Sequence, residues 1–436
     1  MTATRLLYRL LGLLALLALP ASLWPPITPW WWGALAALGA VAAADALTAG
    51  LRRPPIEVER QLDSPLSLGA WREVRLSLRQ LGKRPLDAEI FDHPPETLSF
   101  DALPAKLTLP PGETVALHYR IRPRRRGDCR FLTTQLRYPS RLGLWRIDRR
   151  LPCLTDCRVY PDFTTVSRYE LLAMENRLAQ MGVNHFPRRG LGSEFHQLRE
   201  FRHGDALPTV DWKATARHHK LITREYVEEH NQEIMLLIDC GPRMRARDDE
   251  LSHFDHSLNA ALLLAWVALR QEDAVGVATF GSDESRWLHP RRGKLALRAL
   301  IERVYDLQPG NDLPDYSRAA AEILIQQKRR ALIILITNLR DEDSEDLQQA
   351  LALLGKRHRV IVASLREQAL RQAAQTPVHG FEDALRMTAA REYLHHRRIA
   401  FERIRQAGAL ALDVAPDELS VQLVNQYLRL KSAGGI

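Results

Sequence analysis

The chain has 436 residues, room for about three domains at roughly 150 residues each. Hydrophobic residues make up 46% and charged residues 26%, which excludes a disordered or fibrous chain. The 61 basic against 52 acidic side chains leave +9 without one dominant block, so charge alone selects neither nucleic acid nor an anionic membrane surface.

Residues 6–24 are apolar apart from Tyr8, Arg9, Pro20 and Ser22, and residues 30–47 are apolar as far as Asp45. Each run nears the roughly 20 residues that an α-helix needs to cross the hydrocarbon core. The link Pro25-Pro26-Ile27-Thr28-Pro29 makes a short turn, with Trp24, Trp30, Trp31 and Trp32 at interface depth. The pattern predicts a transmembrane helical hairpin over 1–53. Arg5 and Arg9 stand at the start of the first span and Arg52 and Arg53 follow the second, so the positive-inside rule puts both ends in the cytoplasm. The alternative for the first run is a cleaved signal peptide, which leaves the placement of everything after Arg52 unchanged. Asp45 reads as a snorkelling acid near the inner interface or as a polar contact to a partner helix.

Residues 56–61, 71–78, 88–91, 106–109, 114–121 and 129–136 are short runs, often alternating, separated by Gly82-Lys83-Arg84-Pro85, His93-Pro94-Pro95 and Pro110-Pro111-Gly112. That punctuation predicts an antiparallel sandwich over 54–165. The basic run 122–126 reads as a charged strand edge, or as a contact to anionic lipid headgroups. Four cysteines, Cys129, Cys153, Cys157 and Cys240, are too few and scattered for a disulfide framework, and no second pair completes a metal site with Cys153 and Cys157. All four are expected to be reduced thiols in a reducing compartment.

A connecting segment covers 166–230. Residues 166–182 have helical spacing, with Leu171, Leu172, Leu178 and Met181 on one side. Arg188-Arg189-Gly190-Leu191-Gly192-Ser193 lacks both the preceding strand and the Lys-Ser/Thr of a phosphate-binding loop. Residues 198–229 then mix acids, a Trp and many basic side chains with no steady period. Arg199, Arg202, Asp205, Asp211, Lys213 and Arg217 are placed to form interlocked carboxylate–cation pairs, with Trp212 buried beneath them. Such a network staples the sandwich to the domain that follows; the functional reading is a surface for a protein partner, since Arg and Trp are favoured at hot spots. A further reading takes Asp205, Asp211 and Lys213 as the acids and lysine of a Mg²⁺-dependent nuclease or phosphoesterase, although six residues between the acids leave little chain for them to converge.

The strings Gly204-Asp205, Asp211-Trp212-Lys213-Ala214-Thr215-Ala216-Arg217 and Arg224-Glu225-Tyr226 resemble the signature of the bacterial domain-of-unknown-function family 58. RLGLW at 141–145 and VQLVNQYLRLK at 421–431 are similar to other parts of that family. The resemblance implies a membrane-anchored protein with a domain similar to von Willebrand factor type A, working with a MoxR-type AAA+ ATPase.

From residue 231 onward apolar strand candidates at 234–239, 274–280, 331–337, 360–364 and 409–414 alternate with helix candidates at 254–271, 294–305, 316–327, 344–354 and 418–431. Such alternation predicts a mostly parallel, doubly wound sheet with its site at the carboxyl ends of the strands. Residues 381–407 form a long charged helix whose His395 and His396 point about 100° apart and so make no metal pair. The type A resemblance can be tested on a metal-ion-dependent adhesion site, which begins Asp-x-Ser-x-Ser, adds a loop Thr and ends with an Asp. The corresponding stretches here are Asp239-Cys240-Gly241-Pro242-Arg243, Gly310-Asn311-Asp312 and Thr337-Asn338. Gly241 has no hydroxyl, Arg243 is a cation, Asn311 replaces the Thr and Asn338 is neutral, which leaves Asp239 alone. Mg²⁺ needs near-octahedral oxygen ligands and carboxylate charge. A metal-free site is therefore expected, with Arg243 placing its charge beside Asp239 and Asp312 contributing.

The expected protein is a multidomain chain with two transmembrane helices, an antiparallel β-sandwich and an α/β doubly wound domain over 231–436. No P-loop, catalytic triad or complete metal cluster occurs in the sequence. The reading is a non-enzymatic, two-pass scaffold of the bacterial inner membrane, without cofactor or nucleic acid. Its partners are the lipid bilayer and, by resemblance, a MoxR-type ATPase.

Overall fold

The computed structural model describes residues 1–51, 55–161, 194–202, 209–227, 232–340 and 343–433. The helix expected over 166–182, the segment 188–193, Gly204, Asp205, Arg52 and Arg53 lie outside the described residues. The chain divides into two compact units, Met1–Val159 and Tyr160–Ile436.

In the first unit, strand β1 (Thr2–Ala3) leads into α1 (Arg5–Leu23), and α2 (Thr28–Leu51) runs back beside it. Both helices are long and apolar enough to cross a membrane, with mean hydropathy 1.9 and 1.7. Thr28 Oγ1 donates to Ala21 O at 3.0 Å and Trp31 Nε1 to Leu14 O at 2.8 Å, which ties the pair together at the Pro-rich turn. The β module follows as β2 (Ile56–Gln61), β3 (Leu66–Ser67), β4 (Arg72–Gln80), β5 (Leu86–Phe91), β6 (Leu98–Asp101), β7 (Ala105–Leu109), β8 (Thr114–Pro123), β9 (Gly127–Pro139) and β10 (Trp145–Tyr160). One sheet has the order β2-β4-β8-β6; the other has β1-β10-β9-β5-β7, with β3 also on β10. Alternation explains the sandwich, because Val74, Leu76 and Leu78 on β4 and Tyr119 and Ile121 on β8 all point inward and are buried.

Two expectations for this unit are corrected. Cys129 and Cys157 are cross-strand partners in the β9–β10 ladder and form a disulfide with Cα atoms 5.3 Å apart, so only Cys153 and Cys240 remain buried thiols. Register brought together two cysteines that looked scattered in sequence. Asp45 does not snorkel and does not face a partner helix: it is 2% exposed and binds the turn between β9 and β10.

A buried ion pair crosses this sandwich. Arg60 donates to Asp92 through Nε at 2.8 Å and Nη2 at 2.6 Å, while Tyr119 OH and Thr134 Oγ1 each reach the same carboxylate at 2.5 Å. Arg60 Nη1 also donates to Cys153 O at 2.7 Å, so charge and lone pairs are used up inside the core.

The second unit contains β11 (Glu194–Glu200), α3 (Trp212–His218) and β12 (Ile222–Val227), in which β11 and β12 form a two-stranded antiparallel sheet. It continues with β13 (Glu233–Asp239), α4 (His253–Arg270), β14 (Ala274–Phe280), β15 (Trp287–Arg291), α5 (Lys294–Val304), α6 (Tyr316–Gln326), β16 (Leu332–Thr337), α7 (Ser344–Leu354), β17 (Arg359–Leu365), α8 (Gln368–Gln375), α9 (Phe381–Gln406), β18 (Leu410–Val414) and α10 (Leu419–Ser432). The sheet order is β15-β14-β13-β16-β17-β18, parallel except for the edge strand β15. Alternate residues of β13 fall into two cores, Ile234, Leu236 and Ile238 with α4, α5 and α10, and Met235 and Leu237 with α6, α7 and α9. The doubly wound class is therefore as the sequence indicated.

Local signals fix where the helices begin. Ser252 and Asp255 form a reciprocal capping box at the start of α4. Asp346 on α7 accepts from Tyr316 N at 2.8 Å and Ser317 N at 3.2 Å, fixing the start of α6. Arg397, buried in the middle of α9, donates to Leu339 O at 2.5 Å, Leu365 O at 2.8 Å, Ser364 Oγ at 2.9 Å and Asp413 Oδ1 at 2.9 Å. One guanidinium thus gathers the carboxyl ends of β16, β17 and β18.

Replacing Asp92 by Ala is expected to leave the Arg60 charge buried and uncompensated, at a cost of about 3–5 kcal/mol. Chemical unfolding of the detergent-solubilised chain measures it, and a loss below about 1 kcal/mol would contradict the account.

Candidate functional site

The chain forms β13, β14 and β15 in one direction and then crosses to β16 on the other side of β13, so the winding reverses between β13 and β16. A crevice at such a reversal, beyond the carboxyl ends of the strands, is where doubly wound sheets hold ligands. Asp239 closes β13 and Thr337 closes β16. Their side chains meet: Thr337 Oγ1 donates to Asp239 Oδ2 at 2.6 Å, and Tyr316 OH lies 2.9 Å from the same Thr337 oxygen. With the Thr337 proton committed to Asp239, Tyr316 is the donor in the second bond. Asp239 Oδ1 accepts from Gly241 N at 2.7 Å, so both carboxylate oxygens are engaged.

Two glycines let the backbone close over this carboxylate. A Cβ on Gly241 would stand 3.0 Å from Asp239 Oδ1 and 3.2 Å from Pro314 Cδ; one on Gly281, whose φ is +75°, would also stand 3.0 Å from Asp239 Oδ1. Asp239 is fully buried in consequence. Burial pushes its carboxyl up to about 6; the bonds from Thr337 and Gly241 and the Arg243 charge oppose the rise, and the Asp343 charge adds to it.

The other positions from the sequence comparison separate. Arg243 forms its ion pair with Asp343, which also accepts from Arg340 N at 3.1 Å, so Asp239 feels the guanidinium without being its partner. Asn311 is exposed and its Oδ1 accepts from Arg245 Nη2 at 2.8 Å. Asp312 is exposed, and its backbone oxygen would stand 3.3 Å from a Cβ on Gly241. Asn338 belongs to a second buried cluster, where its Nδ2 is 3.4 Å from His253 Nδ1 and 3.2 Å from Glu367 Oε1, with His253 Nε2 3.0 Å from Asp248 Oδ2. A Mg²⁺ ion does not fit this set. Each Asp239 oxygen already accepts an N–H or O–H donor, Gly241 contributes no side-chain ligand, and the nearby cation is a guanidinium paired with Asp343.

Tyr316, Asp343 and Arg245 were not singled out from the sequence, and Thr337 stood in the Thr337-Asn338 stretch with no role assigned. Thr337 left a faint signal as the one hydroxyl ending an otherwise apolar run. Asp343 sits in the acidic stretch DEDSED, where composition cannot choose among neighbours.

The signature stretch is arranged differently from expectation. Asp211 is the N-cap of α3: Oδ1 accepts from Lys213 N and Ala214 N, both at 3.0 Å, and Oδ2 accepts from Arg224 Nε at 2.9 Å. The Ala214 N–H first, then the Arg224 guanidinium, hold this carboxyl below the usual range. Thr215 Oγ1 accepts from Ile222 N at 3.0 Å, docking α3 on the start of β12, and His219 makes the left-handed turn between them at φ +52°. Trp212 is not buried beneath the charges. It is 66% exposed, and Lys213, Arg217 and Arg202 are exposed as well.

Comparison with known proteins gives one family: residues 197–407 match the model described as "Protein of unknown function DUF58". Among solved structures, the SpRpn10 VWA domain has 14% identity and TM-score 0.29 over 45% of this chain and 95% of that one. Proximal thread matrix protein 1 from the mussel byssus has 13% identity and TM-score 0.29 over 45% and 47%. A PapD-like domain of human CEP192 has 13% identity and TM-score 0.19 over 24% and 84%. No curated protein matches.

Burial of Asp239 sets the sign of its pH dependence. Between its ordinary value of 3.8 and about 6 the folded chain keeps a proton that the unfolded chain has released, so stability falls as pH rises through that window, by on the order of 3 kcal/mol. Asp239→Asn, which keeps an acceptor for Gly241 N, is expected to flatten this fall. Thermal unfolding of the solubilised wild type and variant from pH 4 to 7 compares the slopes, and parallel slopes would refute it.

Proposed function

Because the chain carries a DUF58 region over residues 197–407, we propose that it is a non-enzymatic, membrane-anchored adaptor that binds a protein partner through the exposed face of the signature hairpin. The observation that carries this reading is the contrast within the signature. Asp211 is consumed in capping α3 and pairing with Arg224, while Trp212, next to it, stands in solvent with Lys213 and Arg217. A large aromatic flanked by cations, on a helix whose cap is locally satisfied, matches the composition of interaction hot spots. The same contrast weighs against the Mg²⁺-dependent phosphoesterase alternative, since three of the Asp211 carboxylate's acceptor sites are already taken by Lys213 N, Ala214 N and Arg224 Nε. Asp205 lies outside the described residues.

The partner we propose is a MoxR-type AAA+ ATPase, in assembly or quality control of envelope complexes, with nucleotide turnover supplied by the ATPase. Recognition by this chain is metal-free. Affinity capture of the full-length protein from solubilised membranes is expected to bring down such an ATPase. Trp212→Ala with Arg217→Glu should reduce capture at least about tenfold, an interface loss near 1.4 kcal/mol, without lowering the melting temperature. Capture should survive Asp239→Asn. Equal capture by the signature variant would sink the docking surface.

For location, we propose a two-pass inner-membrane protein with the residues after the hairpin in the cytoplasm. The Arg residues flanking the spans support this; the Cys129–Cys157 bond pulls the other way, since reducing compartments keep thiols apart. A cysteine placed at exposed Leu154 is expected to escape a membrane-impermeant maleimide in intact cells and to react after permeabilisation. Labelling in intact cells would reverse the orientation.

A further inference from the structure

We infer that the membrane hairpin is docked on the sandwich as an integral part of that unit, retained in the mature protein with both its ends on the sandwich side, rather than a tether or a removable segment. The observation is that two stretches about 40 residues apart, one before α1 and one near the end of α2, grip the same turn between β9 and β10. The inference is independent of the partner.

The first grip is main-chain pairing. Thr2 and Ala3 stand opposite Arg146 and Trp145 and extend the β10 edge of the sheet. Thr4 N donates to Leu144 O at 2.9 Å, and Thr4 Oγ1 donates to Gly143 O at 2.6 Å and Leu144 O at 3.1 Å. The second grip joins α2 to the turn through the Asp45 side chain and the Ala42 carbonyl. Ser140 Oγ donates to Asp45 Oδ2 at 2.5 Å and Leu142 N to Asp45 Oδ1 at 3.2 Å, while Trp145 Nε1 donates to Ala42 O at 2.8 Å. Leu7, Ala42 and Leu144 are buried together between the two grips, with Ala3, Leu38 and Trp145 against them.

The chemistry of Asp45 gives this joint its specificity. A carboxylate at the end of an apolar span is expensive unless its lone pairs are met. Here two donors of one tight turn meet them, and Gly143, at φ +73°, gives that turn its shape. Removing α1 would strip the added strand from β10, leave the Gly143 and Leu144 carbonyls without Thr4, and expose the apolar contact at Leu7. A chain processed after the first span would therefore lose part of its sandwich. The shared turn also places residue 4 and residue 45 at one level, the geometry of two antiparallel spans whose outer ends lie on the same side.

The test uses the full-length chain in its native membrane. Thr2→Cys with Arg146→Cys puts thiols at directly opposed positions of the β1–β10 ladder. After mild oxidation and trypsin, mass spectrometry is expected to find the peptide ending at Arg5 disulfide-linked to the peptide of residues 142–149. The control pair Thr2→Cys with Leu132→Cys, exposed on β9 and away from β1, is expected to give no link. Asp45→Ala should slow the Thr2–Arg146 link severalfold while membrane integration is unchanged; Ser140→Ala, which removes one of the two donors, carries the same expectation should Asp45→Ala not accumulate. A mature chain that begins beyond the first span, or linking no faster than the control, would overturn the inference.

Discussion

A carboxylate sealed away from water has to be satisfied by the protein around it, and at Asp239 this requirement shapes the carboxyl end of the central sheet. Parallel strands deliver Asp239 and Thr337 side by side only because β16 crosses to the free flank of β13. The loop after β13 must double back so that Gly241 N reaches the carboxylate, and neither Gly241 nor Gly281 has room for a side chain. Tyr316 completes the shell through Thr337, and its position depends in turn on Asp346 holding the start of α6. Each contact is ordinary, but together they leave neither Asp239 oxygen without a donor.

The Arg243–Asp343 pair lies just outside that shell and has a separate role. Its two charges act on Asp239 with opposite signs, so the carboxylate is surrounded by near-neutral structure and burial decides its proton affinity. Arg397 supports the same end of the sheet from α9, and its bonds join the ends of β16, β17 and β18 through one side chain. The α3 surface differs in kind, with Trp212 in solvent rather than committed to an internal contact.

Much of this architecture was legible because it rests on periodicity. The runs ending at Asp239, Phe280, Thr337 and Leu365 are apolar on both faces, as strands covered by helices must be, and their order alone gives the doubly wound class. Edge strand β15 and the sixteen residues of β10 were harder: each carries a Pro, and β10 sets exposed Arg and Asp between its inward Leu, Cys and Val residues, so neither reads as an unbroken strand. Side-chain partners were less legible still. Arg243 finds Asp343 a hundred positions away, and Cys129 finds Cys157 only once the β9–β10 register is known. Trp212 misled for a different reason. An aromatic among charges suggests a covered side chain, whereas the cap at Asp211 uses the neighbouring charge locally and leaves the ring nothing to cover it.

The disulfide between Cys129 and Cys157 closes a ring of chain whose far tip is the turn held by Thr4 and Asp45. A pull transmitted through Thr4 or Asp45 would reach β9 and β10 at that tip. It could part the ladder only as far as the sulfur–sulfur bond, beyond which the two strands are obliged to move as one.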